Sequence, residues 1–158
     1  MIFPAPARLY LLKALAGTPS VFEKLLSDLG PDDPKWDTKP DPERFSLREV
    51  IAHLADWEPI WLGRVNRIRT ESNPFLPSID EGELATLNDY LHQDPIENLR
   101  RYRSGRAELV TALAQLSDED WKKQCDREFV GILSMQMFAS LILSHDGYHT
   151  AQVVEWLA

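Results

Sequence analysis

The chain has 158 residues, 44% hydrophobic and 27% charged, with a formal net charge of −8. That length suits a single domain over residues 1–158 that buries a core without staples, and the composition excludes a disordered chain. The acidic balance argues against a surface built for nucleic-acid phosphates or anionic membranes, so neither partner is expected.

The opening MIFPAPARLYLLKALAG has no basic stretch ahead of its apolar residues and carries two prolines, so it does not read as a leader. A first helical segment is expected from about Pro6 to Leu29, with Leu9, Leu12, Leu15, Val21, Phe22, Leu25, Leu26 and Leu29 in its apolar pattern. Pro19, in GTPS, should kink or split it, because proline cannot donate a helical hydrogen bond. The connector GPDDPKWDTKPDPERF contains four prolines and reads as a loop, with Trp36 docked on the core.

Ser46 followed by Glu49 is a capping-box pattern that starts a second helix. Leu47, Val50, Ile51, Leu54, Trp57, Ile60, Trp61, Val65 and Ile68 then recur at helical spacing. Pro59 lies inside this pattern and should bend the helix by removing the bond to the Ala55 carbonyl. A long connection from about Thr70 to Asp94 holds a short helix around Glu83–Leu91. Asp94-Pro95 supplies an N-cap and first position for a third helix, roughly Pro95 to Leu116. Ser117 to Trp121 is a short turn, and residues 122–131 read as irregular. A fourth helix runs from about Leu133 to the end. No strand-like alternation of useful length is present. An all-α four-helix bundle is the economical solution, with a crossover between the second and third helices long enough to span it.

Cys125 is the only cysteine, so no internal disulfide forms, and a structural role in a reducing cytoplasm is expected. No apolar run approaches the ~18 residues that would span a bilayer. Two arginine groups stand out: Arg64, Arg67 and Arg69, and Arg100, Arg101, Arg103 and Arg106. They are either solvated helix faces paired with carboxylates, or a surface for an anionic small molecule or a second subunit.

The last helix contains SLILSHDGYHTAQVVEWLA, in which His145 and His149 fall on one face, one turn apart. This spacing lets a helix offer two ligands to one ion. His53, in IAHLADWE, lies on the inward pattern of the second helix, where an unpartnered ring costs about 1–3 kcal/mol. Either each ring finds a separate partner, or the three share one; a divalent metal would satisfy all at once. His92 sits in a polar setting, DYLHQDP, and is expected at the surface.

FSLREVIAHLADWE, followed by Arg64, and SHDGYHTAQVVEWLA resemble the two signature regions of the DinB/YfiT-like superfamily. KALAGTPSVFEKLL, the proline-rich connector and SDEDW fall in the family's order. The resemblance implies a four-helix bundle binding a divalent metal through three histidines, with His53, His145 and His149 inheriting the ligand roles. Phe45 stands where tryptophan is frequent in the family. Some relatives are bacillithiol- or mycothiol-dependent S-transferases or isomerases. The leading expectation is therefore a thiol-dependent S-transferase acting on an electrophilic small molecule, with Arg64, Arg103 and Arg106 holding an anionic low-molecular-weight thiol.

Zinc, nickel or iron suits imidazole donors, and three protein ligands leave a position open. Asp56 and Glu58 are candidates for acid/base work or for orienting a ligand ring, with Asp146 and Gln152 as further candidates. One alternative is a hydrolase that lowers the pKa of water toward ~7. The other is a non-enzymatic metal-binding stress protein. A homodimer formed through exposed apolar helix faces is also expected.

Overall fold

The structure, a computed structural model, describes residues 3–158. Met1 and Ile2, which open the segment read above for a leader, lie outside the described residues. Four long helices carry the fold: α1 (Ala5–Leu25), α2 (Leu47–Thr70), α4 (Pro95–Ala114) and α6 (Met135–Leu157). Ser46 and Glu49 close a full capping box at the start of α2, and Asp94 accepts from the amides of Ile96 and Glu97 at the start of α4. No helix among the described residues is long and apolar enough to cross a membrane.

Neither internal proline ends its helix. A kink or a split is the sequence expectation at Pro19, and α1 is not split there; α2 likewise runs through Pro59. At Pro19 the reason is visible. The missing amide leaves the carbonyl of Leu15 without its helical donor, and a guanidinium N–H of Arg106 takes it at 3.1 Å. The expected first helix to Leu29 stops earlier, at Leu25. Trp36 docks as expected: it is fully buried, and its indole N–H donates to the Gly30 carbonyl at 2.8 Å.

Contacts between the helices fix the topology. α1 and α2 each pack on α4 and α6, so α1 and α2 lie across a diagonal from one another. Arg48 reaches the Gln93 carbonyl, Asp56 pairs with Arg101 and Glu58 with Arg106, so α2 and α4 run parallel. His53 meets His145 while the Phe45 carbonyl accepts from Trp156, so α2 and α6 run antiparallel. Arg103 meets Glu23 and Arg106 meets Leu15, which makes α1 and α4 antiparallel. The order of directions is up, down, down, up. Parallel neighbours cannot be joined by a tight turn, and the crossover from Glu71 to Asp94 makes the return trip. It contains β1 (Phe75–Leu76), α3 (Glu81–Leu87) and a 3-10 turn at Tyr90–His92.

Residues 122–131, expected to be irregular, instead enter a small sheet. After the five-residue helix α5 (Asp118–Lys122), β2 (Gln124–Arg127) pairs antiparallel with β3 (Gly131–Ser134) and parallel with β1. Strands of two and four residues are too short for alternation to register in sequence. Phe129, in the turn between β2 and β3, has φ 63° and is 90% exposed. A left-handed backbone costs a non-glycine residue roughly 1–2 kcal/mol, and asparagine tolerates it better than a bulky aromatic. Phe129→Asn is therefore expected to raise stability by about 0.5–1 kcal/mol, read as a higher denaturation midpoint. An unchanged midpoint would mean that the left-handed turn carries no strain.

The core is split into two apolar clusters. Leu15, Trp57, Trp61, Leu109, Phe138 and Ile142 belong to one, and Phe22, Ile51, Leu54, Tyr102, Val153 and Trp156 to the other. On each of the four helices the change of cluster falls at the same level. There the bundle interior is polar: His53, Glu58, Arg106, Asp146 and His149 are all buried between the clusters. Gly105 brings α4 close to α2 at this layer, since a Cβ there would lie 2.6 Å from the Cβ of Glu58.

Candidate metal centre

The histidines reach one point from two antiparallel helices. His53 projects from α2, and His145 and His149 project from α6 one turn apart. Each offers one ring nitrogen, and these atoms lie within 4.8 Å of one another. The Nε2 atoms of His53 and His145 are 2.9 Å apart. Ring centroids stand 5.0 Å apart for His53–His145, 4.8 Å for His53–His149 and 4.6 Å for His145–His149. His53 and His149 are buried, while His145 is partly exposed and forms the solvent side of the cluster.

Burial keeps the rings neutral, the state in which a nitrogen lone pair can bind a metal. It pushes His53 down to about 2, with the neighbouring His149 and His145 adding to the effect. His145 falls to about 4 by burial and by the charge of Arg106, and His149 to about 3 by burial and by His145. The ordinary value of 6.5 applies to the unfolded chain. In protein stripped by a chelator, stability is thus full above that pH. It falls as the pH drops below it, because the unfolded chain takes up protons that the folded chain refuses. The expected loss is about 1.4 kcal/mol per pH unit for each ring. Urea midpoints on either side of that pH check it, and equal midpoints would show that the rings protonate without resistance.

The surroundings set ring orientation. His149 Nδ1 lies 3.1 Å from Gln152 Oε1, and Gln152 Nε2 donates to the Phe45 carbonyl at 2.9 Å. The side-chain oxygen of Gln152 accepts only, so Nδ1 carries the proton and Nε2 keeps the lone pair. Phe45 and Trp57 pack at 5.4 and 5.6 Å from the His53 ring, and Trp57 and Trp61 at 5.8 and 5.6 Å from His145. The Nδ1 atoms of His53 and His145 are buried with no hydrogen-bond partner.

The sequence pattern of the DinB superfamily matches residues 14–153, most of the chain. The chain belongs to the DinB superfamily. It is also similar to a solved structure, YfiT from Bacillus subtilis, a probable metal-dependent hydrolase with an unusual four-helix bundle topology. The TM-score is 0.88 at 21% identity, over 98% of this chain and 87% of that one, a likeness of fold. No curated protein matches.

In this DinB-superfamily chain the donor set fits a divalent transition ion. Metal–nitrogen bonds of about 2.0–2.1 Å set two ligand nitrogens about 3.3 Å apart at a tetrahedral angle. Separations running from 2.9 Å to no more than 4.8 Å bracket that value, so the three donors stand at distances that one ion bridges.

The other residues singled out in the sequence are placed elsewhere. Asp56 binds Arg101 at 2.6 Å and Asn88 at 2.7 Å, fastening the crossover and α4 to α2. Glu58 and Asp146 both bind the buried Arg106. Burial pushes the Glu58 carboxyl up to about 7, partly offset by Arg106. Arg106 uses all five of its N–H donors, on Glu58, Asp146 and the Leu15 carbonyl, and so joins α4 to α1, α2 and α6. Arg103 forms an exposed pair with Glu23 of α1. Arg64 is buried against Trp57 and Trp61. His92 is exposed and binds Asp89, and Cys125 is fully buried. Sequence reasoning singled out no role for Trp57 and Trp61 at the cluster, nor for Gly105. Their signal was the shared helical face of His53, Trp57 and Trp61, which also describes an ordinary core stripe.

Proposed function

We propose that this protein is a metal-dependent hydrolase in which His53, His145 and His149 hold one divalent transition ion. Zinc, nickel and iron(II) all suit imidazole donors. The observation that carries this reading is the convergence of three neutral rings from two helices on one point. YfiT, the solved structure of similar fold, is a probable metal-dependent hydrolase, which supports water as the nucleophile. When bound, the ion supplies the Lewis acidity that makes water nucleophilic near neutral pH. Gln152 holds the His149 ring in the tautomer that donates through Nε2. Phe45, Trp57 and Trp61 pack against the rings of His53 and His145 and give the site apolar walls. His145, partly exposed, marks the side from which a small-molecule substrate approaches.

A thiol-dependent S-transferase is the second reading, and the arginine contacts bear on it. Arg103 is engaged with Glu23, and Arg106 spends all its donors on Glu58, Asp146 and the Leu15 carbonyl, so Arg106 has none left for an anionic cofactor, while Arg64 keeps a buried unpartnered donor. A non-enzymatic metal-binding role would favour a closed set of four protein ligands. Among the described residues, the group of histidine, cysteine and carboxylate donors has three members.

Elemental analysis of untagged protein tests the metal. Near-stoichiometric zinc, nickel or iron is expected, and none after incubation with all three ions would overturn the reading. Reconstituted protein is then offered a panel of esters and amides, and separately a thiol with a panel of electrophiles. Hydrolysis supports the first reading; thiol consumption without hydrolysis replaces it with the second.

A further inference from the structure

Among the described residues, Arg64 is a buried cation without a carboxylate. It is 6% exposed, yet its only hydrogen bond runs from Nη2 to the Pro77 carbonyl at 2.8 Å, and Nη1 is buried with no partner. The contrast with Arg106, also buried but held by two carboxylates, is plain. Nor is the chain short of acids, with 25 Asp and Glu against 17 Lys and Arg. A buried charge left unpaired is costly, which makes this placement informative.

A second arginine stands beside it. Arg127 ends β2 in register with Leu76 of β1, and its Nη1 donates to the carbonyls of Leu76 at 3.4 Å and Glu128 at 3.2 Å. Its Nε is likewise buried without a partner. The two guanidinium groups thus rest on the carbonyls of consecutive residues, Leu76 and Pro77, and no carboxylate pairs with either among the described residues. Burial, and then the charge of Arg127, push Arg64 down to about 10. Two close cations, each with an unfilled N–H, form the donor half of an anion site.

The location connects this pair to the histidines. Side chains on a helix lean toward its N-terminus, so Arg64 reaches back along α2 toward His53. Its guanidinium carbon lies 5.2 Å from the Trp57 ring and 5.6 Å from the Trp61 ring, and both rings contact His145. The indole N–H of Trp57 is also buried without a partner.

We propose that Arg64 and Arg127 form a recognition site for a compact oxyanion, a carboxylate or phosphate group borne by the substrate that the histidine centre acts on. The anionic end is held where β1 and β2 meet α2, and the reacting end extends past Trp57 and Trp61 to the histidines. The role assigned to the bound group rests on the hydrolase reading; the anion site itself does not, and the test separates the two.

Metal-free protein is titrated with inorganic phosphate and, separately, with acetate, following binding by calorimetry and by the rise in melting temperature that a native-state ligand causes. Removing the metal removes anion binding at the histidine centre from the readout. Saturable binding of at least one probe is expected, weakened about tenfold or more in Arg64→Gln and in Arg127→Gln, and unchanged in His149→Ala. Phosphate alone would point to phosphate esters, acetate alone to carboxylate substrates. Arg127 is only partly buried, so Arg127→Gln remains informative even where Arg64→Gln folds poorly, and Arg64→Lys keeps the charge while losing the fork. Binding that is equal in wild type and Arg127→Gln, or no saturable binding of either probe to the wild type, would overturn the proposal. Metal-free binding with no metal uptake by the native protein would leave the anion site standing and remove the hydrolase reading.

Discussion

Replacing Arg106 by methionine is expected to destabilise the protein by about 3–5 kcal/mol, enough to unfold a marginal domain. The methionine fills most of the space but leaves Glu58 and Asp146 facing each other, both 1% exposed, with no cation between them. It also strands the Leu15 carbonyl, which Pro19 has already deprived of a helical partner. The magnitude comes from the orphaned carboxylates and not from the attraction lost. For that reason the triple variant Arg106→Met, Glu58→Met, Asp146→Leu should recover most of the stability. Urea denaturation of the single and triple variants checks both statements. A single variant within about 1 kcal/mol of wild type would show that water reaches this layer and solvates the acids.

The largest effect on binding is expected at the histidines. His53→Ala should abolish retained metal through dialysis, as should His149→Ala, although the two side chains come from different helices. Each removal leaves two imidazoles of the three, while the rest of the polar layer keeps its hydrogen bonds. The variants should therefore stay folded, and circular dichroism with elemental analysis separates loss of the ion from loss of the fold. Gln152→Leu is the graded control. It removes the acceptor from His149 Nδ1 and is expected to weaken metal affinity about 10–100-fold without abolishing it. Metal retained in either histidine variant would mean that the three rings do not share one ion.

The helix starts were legible because they rest on local chemistry. Ser46 with Glu49, and Asp94 with Pro95, satisfy orphan amides within a few residues, so the pattern and the structure coincide. The meeting of His53, His145 and His149 was legible only in part: i, i+4 spacing put two rings on one face and a third on the inward pattern of another helix, but left separate partners open, and it was the resemblance to the family that joined them. The split that Pro19 could have caused does not occur, because the consequence of that proline is not local. Whether a proline breaks a helix depends on what becomes of the freed carbonyl, and here the answer lies on α4, 91 residues further along. The arginines meet the same limit, although their pairing with carboxylates was one of the two readings open. Nothing in RRYRSGR distinguishes Arg106, buried between two acids, from Arg103, paired at the surface, since burial is decided by the neighbouring helices. The sheet was invisible because its strands hold too few residues to alternate.

The parallel run of α2 and α4 sets a limit on how this chain could be shortened. α2 has 24 residues, about 36 Å of axis, and the polypeptide must travel back over that distance before α4 can begin in the same direction. A fully extended chain covers at most about 3.5 Å per residue, so a return of fewer than about ten residues is geometrically closed. The segment from Glu71 to Asp94 can therefore be trimmed, but not to a turn. A deletion below that limit would force α4 to reverse, sending Arg106 to the wrong level and dissolving the layer in which the histidines meet. Among the connections of this bundle, the one that looks most like a dispensable insertion is the one whose span is set by the direction of two helices.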